Sequence, residues 1–150
     1  MREASISDAV KEIQDAWPSI KSQYINLNAG RYLVLNESYR APQRQLELFK
    51  AGRVQDPTTG DWVVQDKSKI VTYCDGVKVL GAHNYFKSRA IDVAVVDNQS
   101  GKVLWEEKHY QCLIGIAESV GLVSGGSWKS FKDWPHLEVR DYKNYVDKSA

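Results

Sequence analysis

The apolar positions change their spacing along the chain, and each change marks an element. Ile6, Ala9, Val10, Ile13, Ala16 and Trp17 recur at the i, i+3, i+4 intervals of one buried helical stripe, with Ser5 and Asp8 as a variant capping box. Pro18 ends or restarts that helix. A second piece from Ser19 to Leu27 keeps Ile20, Tyr24 and Leu27 on the same face until Asn28-Ala29-Gly30 stops it. From Arg31 to Tyr39 the period shortens to two, with Tyr32, Val34 and Asn36 on one side and Leu33 and Leu35 on the other, which predicts a strand. Arg40 sits just past its end. Pro42 opens a helix that carries Gln45, Leu48 and Phe49 and closes at Ala51-Gly52.

The stretch from Val54 to Lys69 is polar and rich in turn residues around Asp56-Pro57-Thr58-Thr59-Gly60-Asp61, with Trp62-Val63-Val64 as a hairpin arm. Ile70 to Tyr73 reads as a short strand before the Asp75-Gly76 turn, and Val77 to Leu80 leads on to His83. The run Ala90-Ile91-Asp92-Val93-Ala94-Val95-Val96 is apolar enough for a buried central strand, and Lys102 to Trp105 pairs back on it after the turn cluster at 97–101. Glu106 to Val120 is predicted as a helix, with Tyr110, Leu113, Ile116, Ala117 and Val120 on one stripe and Gly121 beyond it. Leu137 and Val139 alternate with His136 and Glu138, so that pair shares one face of a final strand. The tail from Arg140 to Ala150 is polar and predicted to fray.

These elements predict an α+β domain with a small, mainly antiparallel sheet, helices packed largely on one face, and the functional residues at the sheet's edge. At 150 residues the chain is long enough for one core, so residues 1–150 are taken as a single domain with an N-terminal helical part at 1–30 and a tail at 140–150. A formal net charge of +1 gives no electrostatic footprint for nucleic acid. No run approaches membrane-spanning length, and the start lacks the apolar core of a signal peptide. The expectation is a cytoplasmically made monomer with no membrane partner. Two cysteines, Cys74 and Cys112, are too few for a disulfide framework.

Chemistry concentrates in two places. Gly81 to Asp92 offers a histidine, a turn-like loop and an aspartate opening an apolar run, and Asp133-Trp134-Pro135-His136 offers a carboxylate three residues before another histidine. His83, Asp92 and His136 make a three-ligand set of the kind that holds catalytic zinc with one position open, and Asp133 is a candidate base, with Glu138 as its rival. A carboxylate inside an apolar strand costs several kcal/mol unless it is paired or binds metal, so Asp92 calls for a cation. His109 and Cys112 also have a metal-like spacing, but Cys112 falls on the apolar stripe of its helix and reads as a core thiol. Trp128 and Trp134 fit either the core or the walls of a cleft. From its position alone Arg40 reads first as a surface or salt-bridged arginine.

The segment from His83 to Asp92 resembles a longer-looped form of the S-x-H-x-x-G-x-A-x-D signature of the D-Ala-D-Ala carboxypeptidase and VanY/VanX-like zinc peptidases, peptidase family M15. Gly125-Gly126-Ser127-Trp128-Lys129-Ser130-Phe131-Lys132-Asp133-Trp134-Pro135-His136-Leu137-Glu138 resembles the G-G-D-W-K-S-F-K-D-x-P-H-F-E stretch of the phage L-alanyl-D-glutamate endolysins in that family. Ser38-Tyr39-Arg40 with Gln45 is similar to their G-Y-R-x-x-x-x-Q segment. The departures are a His-to-Asp gap of nine rather than seven, Phe86-Lys87-Ser88 in place of one glycine, Gly81 for a serine and Ser127 for an aspartate.

The resemblance implies a hedgehog/DD-peptidase-like fold and Zn²⁺ on His83, Asp92 and His136. It implies Asp133 as the catalytic carboxylate, Glu138 in support, Arg40 on the oxyanion or a substrate carboxylate, and Gln45 binding substrate or orienting Arg40. The expected activity is hydrolysis of the peptidoglycan stem peptide in host lysis, after a holin has opened the membrane. The alternatives are a D-Ala-D-Ala carboxypeptidase or dipeptidase, and a non-catalytic cell-wall-binding domain.

Overall fold

A computed structural model describes residues 2–147. In chain order the elements are helix α1 (Lys11–Leu27), strand β1 (Arg31–Glu37), helix α2 (Pro42–Phe49), strands β2 (Arg53–Gln55), β3 (Trp62–Val64), β4 (Ala90–Asp97) and β5 (Val103–Leu104), helix α3 (Leu113–Ser119), and strands β6 (Leu122–Ser124) and β7 (His136–Val139). The main sheet runs β1-β4-β7-β6, with β5 beside β7 along the same edge of β4, and every pairing is antiparallel. The fold is therefore α+β, as the alternation of periods predicts. β2 and β3 form a separate hairpin whose turn is closed by Asp56 accepting from the Thr58 and Thr59 amides.

The core lies between the sheet and one layer of helices. Ile13, Trp17, Ile20 and Tyr24 of α1 and Leu113, Ile116 and Ala117 of α3 pack against Leu33, Leu35, Ile91, Val93, Val95, Leu137 and Val139. Because strand side chains alternate, Asp92, His136 and Glu138 must stand on the opposite face, away from the helices. β4 and β7 are the two inner strands, and Asp92 pairs directly with His136 across them. The functional residues thus lie at the middle of the sheet's open face, not at its edge. The β4–β7 register joins positions far apart in sequence, which no local pattern specifies.

Four other expectations are corrected. α1 runs unbroken through Pro18, and its start is a separate 3-10 turn at Ile6–Asp8, where the Ser5 and Ser7 hydroxyls bond each other instead of forming a capping box. Proline removes one helical hydrogen bond, but the buried side chains on both sides of it hold the helix to the core. Ile70 to Tyr73 is not a strand, since no neighbouring strand pairs with it in the sheets of the described residues. The predicted helix from Glu106 is reduced to a 3-10 turn at Glu107–His109 followed by α3. Within the tail, Tyr142 and Tyr145 pack on the core and Arg89 donates to the Tyr142 carbonyl, while residues 148–150 lie outside the described residues.

Tyr110 accounts for the shortened helix. Its buried hydroxyl donates to the Leu104 carbonyl and accepts from the Val95 amide, so it bridges β4 and β5 and fixes the chain before α3. Tyr110→Phe is expected to destabilise the fold by about 1–3 kcal/mol in urea unfolding, because it strips a buried amide and carbonyl of a shared partner. A loss below a few tenths of a kcal/mol would mean that the hydroxyl does not pin this junction. Among the described residues no helix is long and apolar enough to cross a membrane.

Candidate metal centre

β4 and β7 present Asp92 and His136 side by side, and a 3-10 turn at Ala82–Asn84 brings His83 over them. His83 Nε2 lies 3.2 Å from Asp92 Oδ1 and 3.2 Å from His136 Nδ1, and His136 Nδ1 lies 3.1 Å from the same Asp92 oxygen. The three expected ligands therefore form a nearly equilateral triangle of donor atoms. Bonds of about 2.0–2.1 Å to a tetrahedral zinc ion set its ligand atoms about 3.3 Å apart. The triangle fits one face of such a tetrahedron.

The far side of each imidazole fixes what its near side offers. His83 Nδ1 is 2.8 Å from the Ser38 carbonyl, which can only accept, so Nδ1 carries the proton and Nε2 turns a lone pair to the centre. His136 Nε2 is 2.7 Å from Glu138 Oε1, which fixes the other tautomer, with the Nδ1 lone pair inward. With both rings neutral, two lone pairs and a carboxylate oxygen converge on one point, an arrangement that suits a cation. The same attraction acts on protons. Burial alone would raise Asp92, but the charge of His83 and the hydrogen bonds from both histidines outweigh it and hold the carboxyl well below its ordinary range. Burial would lower His136, yet its hydrogen bonds to Asp92 and Glu138 push it up to about 10. A proton would compete with any metal ion for this site.

Arg40 continues the network outward. Its Nε and Nη2 grip Glu37 at 2.9 and 2.7 Å, Nη2 also donates to Asp92 Oδ2 at 3.3 Å, and Nη1 donates to Gln45 Oε1 at 3.0 Å. Burial would lower the guanidinium, but Glu37 more than offsets it and raises it. Gln45 is fully engaged with the protein: its oxygen accepts from Arg40 and Asn84, and its nitrogen donates to Thr72 Oγ1 and the Cys74 carbonyl. That geometry suits the orienting role expected for Gln45 and leaves its amide no capacity for substrate.

Asp133 stands at the rim with its side chain 48% exposed, and its Oδ2 lies 3.9 Å from His136 Nδ1. Burial, with Asp92 nearby, raises its carboxyl above the ordinary value. The two tryptophans separate: Trp128 lies against the His136 ring at 5.2 Å and lines the cleft, whereas Trp134 packs on the core. Gly125 and Gly126 let this loop close, because a Cβ there would strike the Asp133 carbonyl and the Trp134 ring. Ser127, in place of an aspartate, turns back to the Ser124 carbonyl. The cleft, about 790 Å³, is also lined by Tyr73, Phe131 and Tyr142, three aromatics that sequence spacing did not single out.

The two residues added between His83 and Asp92 leave the ligands undisturbed. The Arg89 amide bonds the Ala82 carbonyl across the loop's base, and Ser88 is buried and held by backbone bonds to Asp8 and Val10. The extra length emerges at Phe86, which is exposed. His109 and Cys112 are not part of a metal-ligand group: among the described residues only His83, Asp92 and His136 form one. Cys74 and Cys112 are both free thiols.

The D-alanyl-D-alanine carboxypeptidase family matches residues 76–139, which include His83, Asp92, Asp133 and His136. The peptidoglycan L-alanyl-D-glutamate endopeptidase CwlK of Bacillus subtilis (strain 168) is 33% identical over 121 residues, covering 75% of this chain and 63% of the relative. The crystal structure of the Serratia marcescens L-Ala D-Glu endopeptidase ChiX matches with a TM-score of 0.44 at 25% identity, covering 71% of this chain and 65% of that one. The chain thus spans a little under two thirds of the length of either relative. The segment that matches the peptidase M15 family, residues 76–139, thus carries the whole His-Asp-His group.

Proposed function

We propose that this chain is a zinc-dependent endopeptidase of the peptidoglycan stem peptide, cutting the L-alanyl-D-glutamate bond. The observation that carries this reading is the convergence of two tautomer-fixed histidines and Asp92 on one point at the floor of an open cleft. The bond assignment follows the similarity to the Bacillus subtilis L-alanyl-D-glutamate endopeptidase CwlK. The finer reading, a bacteriophage endolysin acting in host lysis, rests on the likeness of residues 125–138 to the endolysin motif.

His83, Asp92 and His136 would hold the zinc ion, which would supply Lewis acidity for the scissile carbonyl and make water more acidic. Asp133 takes the proton from the attacking water and returns it to the leaving amine; its raised pKa and its place at the rim suit both tasks. Arg40 lines the cleft, and one Nη1 hydrogen beyond those engaged with Glu37, Asp92 and Gln45 is available for the developing oxyanion or a substrate carboxylate. Glu138 holds the His136 tautomer rather than acting as the base. Trp128 walls the cleft beside His136 and keeps bulk water from that side.

The test is a digest of purified peptidoglycan with and without a chelator, with the released fragments read by mass spectrometry. New amino termini at D-glutamate, lost on chelation and restored by zinc, are expected. Release of D-alanine would replace the endopeptidase reading with a carboxypeptidase. No chelator-sensitive product from any wall type would overturn the peptidase reading.

A further inference from the structure

Glu37 is a largely buried carboxylate that the proposed chemistry does not use. It is the last residue of β1, and a bulge after Leu35 places it directly opposite Asp92 in the β1–β4 ladder. Two carboxylates facing each other across a ladder repel. Here the Arg40 guanidinium lies between them, its fork on both oxygens of Glu37 and its Nη2 on Asp92 Oδ2. Asp92 Oδ2 is the oxygen turned away from the histidines, so this contact sets the rotation that points Oδ1 at them.

We propose that Glu37 is a positioning residue for the metal centre: it holds and neutralises Arg40, so that Arg40 can orient Asp92 without its charge opposing the bound cation. This inference rests on the metal-site reading above. Charge balance supports it. Asp92, Glu37 and Glu138 place three carboxylates in the network against the one buried guanidinium of Arg40, an excess of negative charge that suits a bound cation. Without Glu37 that excess shrinks and Arg40 becomes an uncompensated cation beside a ligand. The segment that carries Glu37 also carries the Ser38 carbonyl that fixes His83 and the Arg40 amide that bonds the His83 carbonyl. Arg44, whose Nε reaches Glu37 from the surface at 3.1 Å, is the only other charged partner of Glu37 among the described residues, and it does not touch Asp92.

Zinc affinity without substrate is the discriminating readout, measured by competition with a chromophoric chelator on wild type, Glu37→Gln and Arg44→Met. Glu37→Gln keeps the side chain's shape, and its zinc dissociation constant should rise about 10–100-fold, the usual cost of losing an outer partner of a metal ligand. Arg44→Met should stay within about twofold of wild type by the same reasoning. A folded Glu37→Gln protein with wild-type zinc affinity overturns the inference, even if its melting temperature falls. If Glu37→Gln does not fold, Arg40→Lys carries the test: it keeps the charge but cannot span Glu37 and Asp92 at once, and wild-type zinc affinity in that variant overturns the inference. A wild-type protein that binds no zinc would instead sink the metal-site reading and this inference with it.

Discussion

Asp133→Ala is expected to lower turnover by about 10²–10⁴-fold while zinc affinity stays within a few fold of wild type. The asymmetry follows from where Asp133 stands. Its carboxylate is half exposed and 3.9 Å from His136 Nδ1, outside hydrogen-bond reach of that ligand, so its loss leaves the donor triangle intact. Glu138 gives the opposite result. It is bonded to the outer nitrogen of His136, so Glu138→Gln should weaken zinc binding first and turnover as a consequence. Single-turnover rates at saturating zinc, beside chelator competition, separate the two. A near-normal rate in Asp133→Ala would move the base to Glu138.

Two of the three converging side chains, Asp92 and His136, were legible in the sequence because they contradict their surroundings, whereas His83 rested on the motif resemblance. Asp92 interrupts an apolar run, and His136 and Glu138 alternate with two core residues, so polarity and period together place them on one face. Position on the sheet was not legible. Alternation says which face a residue takes, but not that Asp92 and His136 are directly paired across the two inner strands.

Ile70 to Tyr73 shows the same limit. It has strand-like composition, yet Thr72 Oγ1 bonds Gln45 and the Cys74 amide, and the segment walls the cleft instead of joining a ladder. The helical stripe from Tyr110 to Val120 placed Leu113, Ile116 and Ala117 correctly in the core. It overestimated the helix because a 3-10 turn can bury the same side chains. The outer shell was least visible, since the Ser38 carbonyl that fixes His83 carries no side-chain signature at all. Glu138 and Gln45 were expected in support, but Glu37, three residues before Arg40 at a strand end, was not.

His136→Ala should abolish turnover and reduce zinc affinity by well over the roughly 10–100-fold that loss of an outer-shell partner costs. Two donors would remain from a set of three, and Glu138 would lose the group it holds. The pH dependence of the wild type makes the case sharper. His136 is pushed up to about 10 in the metal-free fold, against about 6.5 in an unfolded chain. The raised value means that this group's contribution to stability is full below about 6.5 and is lost as pH rises toward about 10. Zinc requires the neutral imidazole, so binding must expel that proton, and zinc affinity should climb through the same window by up to about tenfold per pH unit. Asp92 has the opposite sign. Its depressed pKa contributes stability above about 3.9, which is lost only as the pH falls through its lowered folded value, so it does not interfere in the alkaline window. Thermal melts of metal-free protein between pH 6.5 and 10 should therefore show a decline in wild type that His136→Ala lacks, with proton release on zinc binding measurable in wild type by calorimetry in buffers of different ionisation enthalpy. Zinc affinity that is flat with pH, or a His136→Ala protein that binds zinc as tightly as wild type, would remove His136 from the metal centre.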